Sequence, residues 1–176
     1  MKKHLFPIIA IVIIVLCGCN KTDKSDFKIY VVSRDVLTRD LSDSQIVSTA
    51  KQNGRLAFDG NDIEGYNWET HTIIFKSNSV TSLGAITKES GGSAIFKVDD
   101  TFAFVFTLND KLIYHGGFVQ GSKNPDIPLQ PYIADKSVTS VKILFDSKYA
   151  TNDDNRSNNR LYSFLNNCGL LSSKTE

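Results

Sequence analysis

Residues 102–118, with the sequence FAFVFTLNDKLIYHGGF, decide the fold prediction. Successive residues of the first half alternate between two sets, both almost wholly apolar: Phe102, Phe104, Phe106 and Leu108, and then Ala103, Val105 and Thr107. Because alternate residues of a strand point to opposite faces, both faces would be apolar, which is typical of a strand covered on both sides. Asn109-Asp110 is a turn signal that would lead into a second strand. The stretch therefore predicts a hairpin whose first strand is central in a sheet.

Strand and helix signals also precede this hairpin. Alternating apolar residues from Phe27 predict a first strand, and further strands are expected around 56–58 and from about 70 to 75, with a turn-rich stretch between them. In the segment LSDSQIVSTAKQNG, Ser42 or Asp43 is the expected helix cap and Gly54 the stop. Its apolar residues have helical spacing: Ile46, Val47 and Ala50. One short amphipathic helix is predicted there.

The remaining signals lie on both sides of the hairpin. Turn signals at 89–93 and 99–100 predict more strands before it. After it, residues 119–137 carry three of the four prolines and no period, so an exposed irregular loop is expected, followed by a strand at 138–145. A final helix would be capped by Asn152 or Asp153. Its apolar stripe and its stop would be Leu161, Phe164, Leu165, Cys168 and Gly169.

Strands outnumber helices and seldom alternate with them, so the predicted class is α+β with a mainly antiparallel sheet. One short helix lies near the start of the domain, and one C-terminal helix packs on the sheet. The predicted divisions are a signal peptide at 1–18, a flexible tether at 19–26, a single domain at 27–170 and a disordered tail at 171–176.

The amino terminus, MKKHLFPIIAIVIIVLCGCN, has two lysines and then an apolar run that is shorter than the roughly 20 residues of a spanning helix. This stretch resembles the precursor of a bacterial lipoprotein, because Leu16-Cys17-Gly18-Cys19 looks like a lipobox. Cysteine at position 17 departs from the usual small residue of that motif.

The resemblance implies cleavage before Cys19 and attachment of diacylglycerol to its sulfur. The expected location is the cell membrane or the outer membrane, on the extracytoplasmic face, with Cys19 as the link to the bilayer. Two acyl chains anchor a protein stably where one does so only reversibly. The alternatives are an ordinary secreted protein with a free Cys19 thiol and a retained membrane anchor.

Charge and cysteine content exclude some partners. Removal of the signal takes two of the 20 basic side chains and none of the 19 acidic ones, which leaves a formal charge near −1. The basic residues are scattered singly, so no nucleic-acid partner is expected. With Cys19 lipidated, Cys168 has no partner for a disulfide and is interpreted as a small buried hydrophobe.

The acidic clusters do not have the spacing of a metal site. In DGNDIEGYNWETH, residues 59–71, the fifth and sixth positions are isoleucine and glutamate, where a calcium loop needs a ligand and glycine. These residues are interpreted as a solvated turn, and Asp153 and Asp154 as residues that cap a helix. Two histidines with Glu69 could form a zinc site only if their strands were neighbours. No metal, no cofactor and no catalytic set is expected.

The aromatic residues give the best indication of binding. The candidate contact residues are Tyr66, Trp68, His71, Tyr114, His115 and Tyr132. Tyrosine and tryptophan contribute a large contact area at low conformational cost, so exposed ones are good anchors for a partner. The competing interpretation, which is favoured for Trp68, is that this only tryptophan fills the core where a turn meets the sheet.

These observations favour a membrane-tethered, non-enzymatic domain that binds a protein or a small molecule in the cell envelope. Its role would be accessory, inhibitory or that of an immunity protein. One alternative is an envelope hydrolase that uses Glu64 and Glu69 as acid and base, which requires one carboxyl to be buried. The other alternative is a purely structural surface lipoprotein.

Overall fold

The computed structural model describes residues 22–38, 40–76, 101–118, 131–136, 140–145 and 154–172. Within these ranges it confirms the predicted α+β class, with two α-helices and one nine-stranded, mainly antiparallel sheet. The signal peptide, Cys19, the turn signals at 89–93 and 99–100 and most of the proline segment lie outside the described residues. Among the described residues, no helix has both the length and the apolar character needed to cross a membrane.

The strands and helices follow one another in a simple order. The strands are β1 Phe27–Ser33, β2 Arg55–Asp59, β3 Ile63–Asn67, β4 Thr72–Phe75, β5 Phe102–Leu108, β6 Lys111–Phe118, β7 Tyr132–Lys136, β8 Ser140–Leu144 and β9 Leu171–Ser172. The helices are α1 Asp43–Asn53 and α2 Asn159–Asn167, with short 3-10 helices at Lys24–Asp26, Arg34–Val36 and Asn155–Ser157.

The strand order in the sheet is β2-β1-β5-β6-β7-β8-β4-β3-β9. Neighbouring strands are antiparallel except for two parallel pairs, β6 with β7 and β3 with β9. The hairpin that decided the prediction is β5–β6, and β5 lies between β1 and β6, as expected. Its turn residues Asn109 and Asp110 have φ values of 51° and 56°, as the left-handed turns that suit twisted hairpins require.

The sheet curls around its own apolar face. The inner cluster is the set of packed, buried residues that β1–β8 and α2 contribute, and Phe104 and Phe106 of β5 belong to it. The rings of Phe58 on β2 and Phe75 on β4 are 4.5 Å apart, although five strands separate β2 from β4 in the sheet order. Contact between such distant strands requires the sheet to curl. Helix α2 packs into this interior, where the ring centroid of Phe164 lies 6.0 Å from that of Phe27.

The other face of β5 is covered by α1, so this strand is covered on both sides, as predicted. The outer cluster is formed by Tyr30, Val32, Leu37, Ile46, Ala50, Ala103 and Val105. Helix α1 begins at the expected cap, Ser42, whose backbone amide donates to the side-chain oxygen of Gln45, and it ends at Gly54. Burial of its apolar stripe holds α1 on the sheet, because helices this short are marginal without tertiary packing.

Three expectations about element bounds were wrong. The stretch between β2 and β4 is not only turns, because it contains β3. The segment predicted as an irregular loop contains β7, which is paired on both sides. Helix α2 is capped by Asn158 rather than by Asn152 or Asp153, and Asp154 instead caps the preceding 3-10 helix. Strands β3 and β7 form because neighbouring strands of the sheet pair with them. The start of α2 differs because a nearby residue, Asn158, provides the cap.

Both expected ends of the domain also need correction. Leu171–Ser172 is not disordered, because β9 pairs with β3. Lys24–Asp26 is a 3-10 helix inside the predicted tether. The stop of α2 at Gly169 agrees with the prediction, since its φ of 65° is one that glycine adopts without strain.

Candidate functional site

Four rings form an aromatic cluster: Tyr66, Trp68, His71 and Tyr162. Strand β3 supplies Tyr66, and the turn between β3 and β4 supplies Trp68 and His71. The side-chain oxygen of Asn67 accepts a hydrogen bond of 2.9 Å from the Thr70 amide, and this bond closes the turn. His71 has a φ of 51°, a left-handed conformation in which histidine is enriched.

The rings meet edge to face or at a tilt. The Trp68 centroid lies 5.0 Å from that of Tyr162, with the two planes at 76°. It lies 5.8 Å from the Tyr66 centroid and 5.8 Å from that of His71. Such pairs are worth about 0.5–1.5 kcal/mol beyond the area they bury. The contacts therefore hold Trp68 in one position.

Exposure increases from the interior to the surface of the cluster. Tyr66 is fully buried, and His71 is 8% exposed. Trp68 is partly buried and packs against the inner cluster, while Tyr162 on α2 is 44% exposed. Tyr66 is thus a core residue and not the exposed turn residue that was expected. The contact surface available to a partner is the pair of Trp68 and Tyr162.

A hydrogen bond joins the two buried members of the cluster. The Tyr66 hydroxyl lies 3.3 Å from His71 Nδ1. Burial raises the pKa of Tyr66 well above its usual range. Burial also lowers the pKa of His71, and the nearby charge of Arg156 lowers it further. Both groups are therefore neutral at pH 7, so that when the hydroxyl donates to Nδ1, Nε2 carries the ring proton.

An ion pair lies beside the cluster. Arg156 donates from Nε and Nη2 to the two carboxylate oxygens of Asp154, at 2.9 and 2.7 Å. Its Nη1 donates to the backbone carbonyl of Ile143, and its guanidinium lies 5.5 Å from the ring centroid of Phe145. The hydrogen bond from Arg156 holds the pKa of Asp154 below its ordinary value. The forked geometry makes Arg156 a rigid, partly exposed cation.

The other aromatic candidates do not join this surface. Tyr114 is buried, its hydroxyl has no hydrogen-bond partner among the described residues, and burial raises its pKa. His115 follows it on β6 and therefore points to the opposite face, toward α1, where burial lowers its pKa. Tyr132, partly buried, begins β7. The structure thus brings together Tyr66, Trp68 and His71, with Tyr114 behind Tyr66, and leaves His115 and Tyr132 apart.

The acidic candidates lie on the surface or hold turns. Glu64 and Glu69 are both exposed, so neither has the burial that the acid of a hydrolytic pair needs. Asp59 and Asp62 accept hydrogen bonds from the backbone amides of Asn61 and Asp59, as in the solvated turn that was expected. In the described part of the chain, no three histidine, cysteine or acidic side chains are grouped as metal ligands would be.

The sequence interpretation missed Tyr162 and the partnership of Arg156 with Asp154. Tyr162 lies off the apolar stripe of α2, and this was a usable signal, since an aromatic residue on a polar helix face tends to be exposed. Asp154 and Arg156 were visible only as part of a capping sequence, because their pairing depends on the 3-10 helix at Asn155–Ser157.

One small cavity lies on the inner face of the curled sheet. It has a volume of about 10 Å³ and lies among apolar residues that include Ile29, Phe104 and Ile133. This volume is at the lower limit for a single water molecule. This cavity is therefore too small for a ligand of ordinary size.

No protein-family model matches the chain, and neither a curated protein nor a solved structure is significantly similar to it.

Proposed function

We propose that this protein is a lipid-anchored, non-enzymatic binding domain on the extracytoplasmic face of a membrane. Diacylglycerol on Cys19 would hold it there. Its partner would be a protein or a small molecule of the cell envelope, and its role accessory, inhibitory or that of an immunity protein. The binding surface would be centred on Trp68 and Tyr162.

The observation that carries the binding proposal is the support beneath this pair, in which Tyr162 is exposed and Trp68 is partly buried. Trp68 contacts buried Tyr66 and His71, which are themselves hydrogen bonded. An anchor already held in place loses little conformational freedom on binding, so more of its contact energy contributes to affinity.

The support for the anchor is the lipobox-like sequence ending at Cys19. The hydrolase alternative loses its main support because Glu64 and Glu69 are exposed. A purely structural surface lipoprotein would need no specific partner at Trp68 and Tyr162, and this difference is testable.

The experiment places a photo-cross-linking amino acid at Tyr162 in the full chain, expressed in its native cells. We expect one discrete cross-linked product in the membrane fraction. Trp68→Ala should reduce its yield by about tenfold or more, since hot-spot residues cost 2 kcal/mol or more when truncated. Leu56 is the matched control position, because it is 50% exposed and lies on β2, a strand that contributes no residue to the aromatic cluster.

Two results would contradict the proposal. A ladder of weak products that is the same from positions 56 and 162, and insensitive to Trp68→Ala, would favour the structural alternative. A Cys19→Ala chain that still sediments with membranes would show that the anchor is not on Cys19.

A further inference from the structure

The first described residues are fastened to the domain at several points. The thiol of Cys168, at the end of α2, lies 3.9 Å from the carbonyl oxygen of Thr22, to which it donates. Asp23 caps the 3-10 helix Lys24–Asp26 by accepting from the Ser25 amide at 2.9 Å. Thr22 is therefore already attached to the folded domain, although it lies five residues before the domain start at Phe27 that was expected from the sequence.

The backbone amides of two turns also form hydrogen bonds with this segment, residues 22–27. The Asn109 amide, in the β5–β6 turn, donates to the Asp26 carbonyl at 3.0 Å, and the Gly60 amide, in the β2–β3 turn, donates to the Phe27 carbonyl at 2.9 Å. Gly60 lies so close to the Lys24 carbonyl that there is no room for a Cβ atom. The segment is thus part of the folded body at this end.

Covalent geometry then limits the distance to the anchor. Three peptide units separate Cys19 from Thr22, and a fully extended chain spans at most about 3.6 Å per residue. The Cα atom of Cys19 consequently lies within about 11 Å of that of Thr22. The eight-residue tether expected from the sequence would have allowed more than twice that distance.

We propose that one end of the domain faces the lipid headgroups. This end, called the proximal end, consists of Thr22, Lys24, Asn61, Asn109 and Cys168. The inference rests on the proposed lipidation of Cys19, because the short connection to an acylated residue is what holds the proximal end at the bilayer. The partner of this surface is the headgroup layer.

The chemistry of the proximal end fits a headgroup layer. Asn61, Asn109 and Asp110 are exposed and polar, and Asp110 forms ion pairs with Lys51 at 2.7 Å and Lys28 at 3.9 Å. Polar groups of both signs suit contact with hydrated headgroups rather than insertion into hydrocarbon.

The opposite end of β1 provides a reference point. Strand β1 has seven residues, which at about 3.3 Å per residue span roughly 20 Å. Val36 lies beyond its far end, in the 3-10 helix Arg34–Val36, and is 36% exposed. A probe at Val36 should therefore lie well above the bilayer when the proximal end faces it.

The test compares two fluorescent probes on lipidated full-length protein. Asn61→Cys and Val36→Cys are each labelled in a Cys168→Ser background, which keeps a donor for Thr22. The proteins are purified from membranes and reconstituted into phosphatidylethanolamine and phosphatidylglycerol vesicles that carry nitroxide-labelled headgroups. We expect the Asn61 probe to be quenched several-fold more strongly than the Val36 probe.

A variant with a longer linker tests whether the short connection between Cys19 and Thr22 causes the orientation. Insertion of 20 Gly/Ser residues between Lys21 and Thr22 adds a flexible chain with a root-mean-square length of about 25 Å, which should make the two probes nearly equal. A flotation assay distinguishes failure of the proposed anchor from failure of the proposed orientation. Protein that does not float with vesicles overturns the anchor, while protein that floats with equal quenching in the unextended chain overturns the orientation alone.

Discussion

Tyr66 and Tyr114 are both buried tyrosines of the inner cluster, and only the Tyr66 hydroxyl has a hydrogen-bond partner among the described residues. The Tyr66 bond to His71 also orients the imidazole on which Trp68 packs. The Tyr114 hydroxyl is close enough to Tyr66 for each to influence the titration of the other, but it satisfies no hydrogen-bond geometry. Removing these two hydroxyls should therefore have different effects.

Tyr66→Phe leaves His71 Nδ1 buried without a partner and should lower the free energy of unfolding by about 1–2 kcal/mol. Tyr114→Phe removes an unsatisfied buried hydroxyl and should be neutral or stabilising by up to about 1 kcal/mol. Urea denaturation at pH 7.5 measures both. Equal destabilisation by the two substitutions would mean that Tyr114 has a partner as important as His71.

At the scale of elements, the end of α2 and strand β9 form one unit. Leu170 is 2% exposed, its amide donates to the Leu165 carbonyl at 2.8 Å, and its carbonyl accepts from the Tyr66 amide at 2.6 Å. Leu171 then pairs with Tyr66 in the sheet and is only partly buried. Packing of Leu170 thus fixes the strand that carries Tyr66 of the aromatic cluster.

Leu170→Ala should lower the free energy of unfolding by about 2–5 kcal/mol, the usual range for a buried leucine. Leu171→Ala, one residue later, should cost less than half as much because part of its side chain remains in contact with water. Chemical denaturation compares the pair. If both substitutions were neutral, the disordered tail that the sequence predicted at 171–176 would have to extend back to Leu170.

At the scale of the whole molecule, the two faces of the sheet each contain a histidine whose pKa is lowered by burial. His71 lies on the inner side, near Arg156 and Asp154, and His115 faces α1, near Asp43. Because their folded pKa values lie below the ordinary value of 6.5, the unfolded chain binds more protons at mildly acidic pH. Their contribution to stability is present above pH 6.5 and is lost as the pH falls toward their folded pKa values.

The melting temperature should therefore fall between pH 7.5 and pH 5.5, a window that lies above the titration of Asp110 and Asp154. His71→Asn keeps a residue that tolerates positive φ and should make this fall smaller, as should His115→Gln. The two effects should add, because the histidines are on opposite faces and share no partner. Differential scanning calorimetry across the window measures the slopes, and an unchanged slope in the double variant would contradict the assignment.

The sequence by itself determined the local features: the β5–β6 hairpin, helix α1 with its cap, the apolar stripe of α2 and the stop at Gly169. Each depends on periodicity or on the conformational preference of one or two residues, which are properties of neighbouring positions. The short apolar run and the cysteines at its end are likewise local, and so is the predicted anchor at Cys19.

Only the tertiary structure decided which residues meet. The burial of Tyr66, the pairing of β9 with β3, the contact of Trp68 with Tyr162 and the docking of Thr22 on Cys168 all join positions distant along the chain. These contacts form because the sheet curls to bury its apolar face and α2 packs into the curl. No local pattern encodes that closure, since its driving force is the apolar area removed from water over the whole domain.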